Sequence, residues 1–329
     1  TPKIFKVGFT GPLSGAGATW GFGELRGLIL GVDDVNAKGG ITVGGEKYKV
    51  EVISYDNKYK PDEALTTVNR LVYEDKAKYI FGPTGGSSVR AITPVCLKEN
   101  IFLFGIIASE PWVKGPDKPL FFNFLTSSYE RNPALWKFVK KNKPEVKRIG
   151  AIAPSDRKEE TIDRVNFAKE EGFQITDTIF YERGRMDFTP LITGLMLKKT
   201  DLIDMDGSPP ADQAAMIKQA RESGYKGGFT AGYQPEISVM NEIAGKENAE
   251  GYFLAGPYDY PSGNTEQRAF YERLEKRWPK GWGATAPYGY YTAIELCKAI
   301  ERANTFDVFE VAKEYEKMDF VGTLGHTYW

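Results

Sequence analysis

Short apolar segments of strand length alternate with amphipathic segments of helix length along most of the chain, and the alternation runs through two separate series. In the first, Ile4–Phe9 reads as a strand, and Leu25, Leu28, Ile29, Val32 and Val35 recur at helical spacing before Gly39-Gly40 stops the helix. Val50–Tyr55 alternates as a strand, and Pro61 opens a helix with Leu65, Val68, Leu71 and Val72 on one face. Tyr79–Phe81 and Ile101–Gly105 are strands around a helix capped by Ser87 or Ser88, with a kink at Pro94. The second series predicts strands at Phe121–Phe124, Arg148–Ala153, Gln174–Phe180, Leu202–Met205, Gly228–Ala231 and Tyr252–Ala255, separated by helices. The last third is mainly helical, over Thr265–Arg277, Tyr288–Ala303 and Phe306–Glu316. Strand–helix alternation with short loops demands a parallel sheet covered on both faces. The expected fold is therefore α/β, as two Rossmann-like α/β/α lobes. At 329 residues the chain exceeds what one core usually holds.

No low-complexity linker separates the series, so the chain is expected to cross between lobes on ordered segments. Crossings are placed near Phe121–Ser127, Gly251–Tyr258 and Phe320–Gly325. The first lobe then comprises residues 1–122 and 256–322, and the second 123–255 and 323–329.

Several function classes fall away. Forty-three Lys and Arg against 44 Asp and Glu give a net charge of -1, which removes the electrostatic case for nucleic-acid binding. No apolar run reaches the roughly 18 residues of a membrane span. One His and two Cys exclude most zinc sites, and Asp33-Asp34 or Asp204 with Asp206 form no ligand-rich loop, so no metal is expected. Cys96 and Cys297 lie in apolar helical patterns and are read as buried free thiols, a long-range disulfide being the alternative.

The first strand leads into Gly11, Gly15, Gly17, Gly21 and Gly23, which invites a dinucleotide reading. The spacing of Gly15, Gly17 and Gly21 is one residue too long for that fingerprint, and Asp56 lies too far downstream to reach the ribose. Neither a phosphate-binding loop with its lysine nor a nucleophile elbow occurs. His326 has no visible nucleophile partner. No enzyme and no cofactor are expected.

Loops at strand ends point instead to non-covalent capture. Gly82-Pro83-Thr84-Gly85-Gly86-Ser87-Ser88 joins a strand to a helix N-terminus, offering N–H groups, a positive dipole end and hydroxyls that suit a carboxylate. Ile106-Ile107-Ala108-Ser109 follows the next strand and adds backbone groups and a hydroxyl. In an open α/β sheet, ligands sit outside the carboxyl ends of the strands.

The opening Gly11-Pro12-Leu13-Ser14-Gly15, followed by Gly27-x-x-x-Gly31-Val32-x-x-Val35-Asn36-Ala37-x-Gly39-Gly40-Ile41, resembles the branched-chain amino acid family of periplasmic solute-binding proteins. Tyr55-Asp56-Asn57, Pro61, Ala64, Leu71-Val72, Phe81-Gly82-Pro83 and Ser87 continue the resemblance, and Gly322-Thr323-Leu324-Gly325 resembles a late crossover segment. It implies a type I periplasmic-binding fold with three hinge crossings, closing on a small carboxylate or amino acid. It also implies a monomer delivered to a membrane ABC permease. Removal of a leader before Thr1 would place it in the periplasm, or lipid-anchored on the extracellular face. A sensory or regulatory ligand-binding module of the same fold is the alternative.

Carried over residue by residue, the resemblance puts Trp20 in the first loop, either covering the ligand or packing beside the first helix. Gly86, Ser87 and Ser88 occupy the loop that holds a carboxylate, and Ile107 and Ser109 occupy the next. In the second lobe, Ala153-Pro154-Ser155-Asp156-Arg157 replaces the usual segment, and Asp206-Gly207-Ser208 matches a ligand-facing loop. Tyr233 stands where amino-acid binders of the family place an acid for the ligand ammonium. Either Asp206 substitutes for that acid, or the ligand lacks an amino group and Arg157 is a second carboxylate clamp. Trp20, Tyr233, Tyr258 and Tyr288 are candidate walls for a flat pocket suited to an aromatic acid.

Overall fold

A computed structural model describes residues 2–106, 115–123, 128–232, 237–254, 265–279, 283–322 and 325–328. By contact the chain separates into two units, Thr1–Ile107 with Pro111–Leu125 and Pro257–Trp329, and Ala108–Glu110 with Thr126–Gly256.

The first unit is built on a six-stranded sheet of β1 (Lys3–Gly11), β2 (Ile41–Val43), β3 (Glu46–Asp56), β4 (Tyr79–Thr84), β5 (Phe102–Ile106) and β6 (Phe121–Asn123). The order is β2-β3-β1-β4-β5-β6, parallel except for β2, which pairs antiparallel with β3. That hairpin escapes the strand–helix alternation. Its two-residue turn is Gly44-Gly45, with φ of 58° and 80°, a pair of left-handed positions that glycine fills without steric cost. The unit's helices include α1 (Ala18–Ala37), α2 (Pro61–Tyr73) and α3 (Gly86–Lys98). The central strands β4 and β5 are buried along their whole length, as covering on both faces requires. Within one core cluster Phe102 stacks on Phe122, and Tyr315 meets Phe104 and Phe122 edge-on.

The second unit holds α4 (Ser128–Asn142), then β7 (Arg148–Pro154), α5 (Lys158–Glu170), β8 (Gln174–Tyr181), α6 (Thr189–Leu197), β9 (Leu202–Asp204), α7 (Pro210–Glu222), β10 (Gly228–Ala231), α8 (Ile237–Ile243) and β11 (Tyr252–Leu254). Its five strands are all parallel, in the order β11-β10-β9-β7-β8. The α/β class and the two parallel-sheet lobes expected from the alternation are both present.

The chain returns to the first unit through α9 (Thr265–Arg277), α10 (Ala286–Ala303) and α11 (Val308–Tyr315). α10 packs directly on α1, and glycine permits the approach. A Cβ at Gly27 would lie 1.8 Å from the Ala286 carbonyl oxygen, and one at Gly289 2.0 Å from that of Glu24. At the end of the chain β12 (Asp319–Gly322) and β13 (Gly325–Tyr328) pair antiparallel as a hairpin, so their backbone groups are satisfied locally. Cys96 and Cys297 are free and buried, and burial pushes both thiols up to about 12. Among the described residues no His, Cys, Asp and Glu group is arranged to hold a metal, and no helix is long and apolar enough to cross a membrane.

Candidate functional site

In the first unit, the carboxyl end of β4 runs through a cis Gly82–Pro83 bond into Thr84, Gly85 and the first turn of α3. Gly85 is the N-cap. Its φ of 95° and ψ of 139° belong to glycine, and with no side chain it cannot cap the helix. The N–H of Gly85 is spent on the Ile106 carbonyl at 3.1 Å, which ties this loop to the end of β5. The N-terminus of α3 therefore carries its positive dipole end with no cap from the N-cap residue, at the sheet edge where α/β folds bind ligands. Gly86 and Ser88 are buried and Ser87 is half-buried.

Trp20 lies in the first turn of α1 and is buried. Its ring sits 5.6 Å from that of Tyr59 at a tilt of 57°. Tyr59 in turn abuts the capping loop, since a Cβ on Gly85 would meet its hydroxyl at 3.0 Å. Trp20, Tyr59 and the head of α3 thus form one contiguous group in this unit. Tyr59 was not foreseen from sequence; it follows the Tyr55-Asp56-Asn57 stretch in the loop between β3 and α2.

Asp56 explains why that loop and the glycine-rich loop after β1 stay together. Its carboxylate accepts from the Leu13 N–H and the Lys58 N–H, each at 2.8 Å, and from the Ser14 hydroxyl at 2.6 Å. Burial raises its pKa, but those hydrogen bonds outweigh burial and hold the carboxyl below its usual value. Asp56 is a clasp between loops, consistent with rejecting it as a ribose ligand.

In the second unit, the carboxyl ends of β7, β9 and β10 gather a dense charge cluster. Arg164 of α5 forks onto Asp204 with contacts of 2.6 and 3.0 Å and donates to Asn132 Oδ1 at 2.6 Å. Arg164 and Asp204 are both fully buried, and the guanidinium lies 5.2 Å from the Trp136 ring. Two residues on, Asp206 accepts from the Gly232 N–H at 2.7 Å. Burial alone would raise Asp206, yet Arg164, Arg131 and Arg157, with the Gly232 N–H, bring it below the ordinary carboxylate value. Gly232 cannot be larger, because a Cβ there would lie 2.1 Å from Asp206 Oδ1. Arg157 is buried and pairs with Glu160 at 3.2 Å. Its guanidinium also packs against Gly207, where a Cβ would meet Nε at 3.0 Å. Tyr252 donates to Gln213, which donates to the Ser208 carbonyl, bracing the Asp206-Gly207-Ser208 segment from behind.

In the first unit Trp20 is linked through Tyr59 to Gly85, directly before Gly86, Ser87 and Ser88, and in the second Arg157 lies near Asp206. Tyr288 lines a small cavity beside Glu24. Ile107, Ser109, Tyr233 and Tyr258 lie outside the described residues. The Arg164–Asp204 pair was missed from sequence, since 40 positions separate its members and no local motif joins them.

The model of the periplasmic binding protein family matches residues 5–329. The chain belongs to that family. Among relatives of this periplasmic binding protein, the Leu/Ile/Val-binding protein of Escherichia coli K12 is 27% identical over 261 residues, covering 78% of this chain and 68% of that one. Among solved structures, the branched-chain amino acid transporter substrate-binding protein of Streptococcus pneumoniae, complexed with isoleucine, superposes with a TM-score of 0.86 at 21% identity over 99% of this chain and 92% of that one. A solute-binding protein of an ABC transporter from R. palustris, complexed with benzoate, gives 0.83 at 17% identity over 99% and 89%. At such identities the two solved structures share the fold with this chain.

Proposed function

We propose that this protein is an extracytoplasmic solute-binding component of an ABC importer, which captures a small carboxylate by closing its two lobes around it and releases it unchanged. The observation that carries the reading is the head of α3, which presents its dipole from a glycine cap next to the Trp20–Tyr59 pair. A carboxylate there receives backbone N–H groups and the hydroxyls of Ser87 or Ser88, while the aromatic pair flanks its apolar body. Ile107, Ser109 and Tyr258 complete the proposed ligand set.

The ligand class follows from Asp206. An acid that takes a ligand ammonium needs spare negative potential, and Asp206 has little, because Arg131, Arg157 and Arg164 and the Gly232 N–H already claim it. An ammonium added beside it gains little, because the carboxylates of this cluster already face guanidinium groups. With Tyr233 at the position where an acid is usual, this favours an amine-free acid, aromatic or aliphatic. A neutral amino acid is the second reading, supported by the resemblance to Leu/Ile/Val-binding relatives.

Calorimetric and thermal-shift screening against benzoate, hydroxybenzoates, branched aliphatic acids and neutral amino acids tests both. At least one acid should raise the melting temperature, increasingly with the logarithm of its free concentration above Kd, and be recovered unaltered by mass spectrometry. A folded protein that responds to none of them refutes the proposal; a response to amino acids alone moves it to the second reading.

A further inference from the structure

Glu24 lies one helical turn beyond Trp20 on α1, on the same side of the helix, and is 1% exposed. Thr84, the last residue of β4, donates its hydroxyl to Glu24 Oε2 at 2.8 Å. Oε1 has no hydrogen-bond partner among the described residues. Around it Phe9, Leu28, Phe81, Phe104, Ile106 and Tyr288 line a cavity of about 10 Å³. The family resemblance assigns no role to this residue, and nothing in the ligand set above requires an acid there.

An ionised carboxylate in such surroundings is costly, because among the described residues it has neither a cation nor enough donors to replace its water. Burial, only partly offset by the Thr84 hydrogen bond, pushes Glu24 up to about 8. Among the cavity-lining residues from β1, β4, β5 and α10, Tyr288 is the one other titratable group. Further along α10, Glu295 is buried and accepts from the Tyr315 hydroxyl at 2.9 Å. On α1 itself, Arg26 lies over the rings of Phe22 and Trp278. Thr84 is followed directly by Gly85 and Gly86, so whatever charge Glu24 carries lies close behind the loop proposed to hold the ligand carboxylate.

We propose that Glu24 is a positioning residue that acts as the neutral acid, fixing Thr84 at the entry to the anion-holding loop, so that carboxylate capture is coupled to a proton on Glu24. This rests on the functional reading above. Protonated, Glu24 anchors the loop without opposing an anion. Ionised, it places a negative charge behind the bound carboxylate. By reciprocity, an anionic ligand strengthens the hold of Glu24 on its proton as much as the proton strengthens the hold on the ligand.

The test is calorimetric titration of the full chain with benzoate, and separately with isoleucine, between pH 6 and 9.5, on wild type and Glu24→Gln. Glutamine keeps an oxygen for the Thr84 hydroxyl and cannot ionise. For wild type, Kd should be constant up to about pH 7 and about tenfold weaker at pH 9, while Glu24→Gln stays flat within about threefold. Titration of wild-type protein with benzoate at pH 8.5, in two buffers of different ionisation heat, should show roughly three quarters of a proton taken up per ligand, which requires no variant. A flat wild-type profile with no proton uptake, or an equal fall in Glu24→Gln, overturns the inference while leaving carboxylate capture intact. If neither probe binds at any pH, the same titrations use the acid that stabilises the protein most in the screen above, and the functional reading and the coupling fail together when no acid of that screen binds. The infrared C=O stretch of a protonated carboxyl, lost in Glu24→Gln, then still reports the state of Glu24.

Discussion

Replacing Arg164 with methionine tests whether the second unit's site edge is built on its buried ion pair. The substitution keeps much of the apolar volume and removes the guanidinium that forks onto Asp204 at 2.6 and 3.0 Å. Asp204 is 1% exposed, so water cannot replace those donors. Stranding one member of a buried pair costs about 3–5 kcal/mol. Asn132 Oδ1 loses its donor as well, which adds about 1 kcal/mol. Urea unfolding at pH 7.5 should therefore show about 5 kcal/mol less stability in the second unit. The deficit should shrink as pH falls. Burial raises Asp204 above its ordinary 3.8, so once its partner is gone, stability is full below that value and is lost as pH rises through the raised one. The double variant R164M/D204L removes both charges together and should recover to within about 1–2 kcal/mol of wild type. A single variant within 1 kcal/mol of wild type, or a double variant no more stable than the single, refutes the reasoning.

Two further substitutions probe the site edges. Gly85→Ala forces a side chain into a left-handed position and towards the Tyr59 hydroxyl, which should cost about 2 kcal/mol of stability and at least tenfold in carboxylate affinity, read by thermal melts and calorimetry. Asp206→Asn leaves three arginines less neutralised, so an amine-free acid should bind within about threefold of wild type or tighter, whereas an amino acid held through its ammonium should lose binding beyond detection.

Much of this was legible in the sequence because burial on both faces leaves a strong trace. Runs such as Phe102–Ile106 and Ile149–Ala153 contain almost nothing but apolar residues, and the glycines and prolines between them mark the loops at the sheet edge. The carboxylate loop was readable for the same reason, as a strand ending in Gly82 followed by a Gly85-Gly86 helix start. What escaped notice depends on distance or on weak local signals. The β2–β3 hairpin announces itself by Gly44-Gly45 between Ile41, Val43 and the next strand, but its short arm is masked by a strand–helix reading. The hairpin of β12 and β13 is equally faint in the sequence, because four-residue arms carry little periodicity. Glu24, Arg164 and Asp204 are charged residues that an amphipathic pattern assigns to solvent. Only the tertiary fold, with Thr84 across from Glu24 and Arg164 of α5 reaching Asp204 at the end of β9, shows that they are inside.

The most direct measurement of the central claim is a crystal structure of the protein with the acid that stabilises it most in the screen. The account predicts the ligand carboxylate within about 3 Å of backbone N–H groups at Gly86–Ser88, its body against Trp20 and Tyr59, and every bond of the ligand intact. A ligand bound with its carboxylate elsewhere and the first turn of α3 untouched, or one chemically altered by the protein, contradicts it.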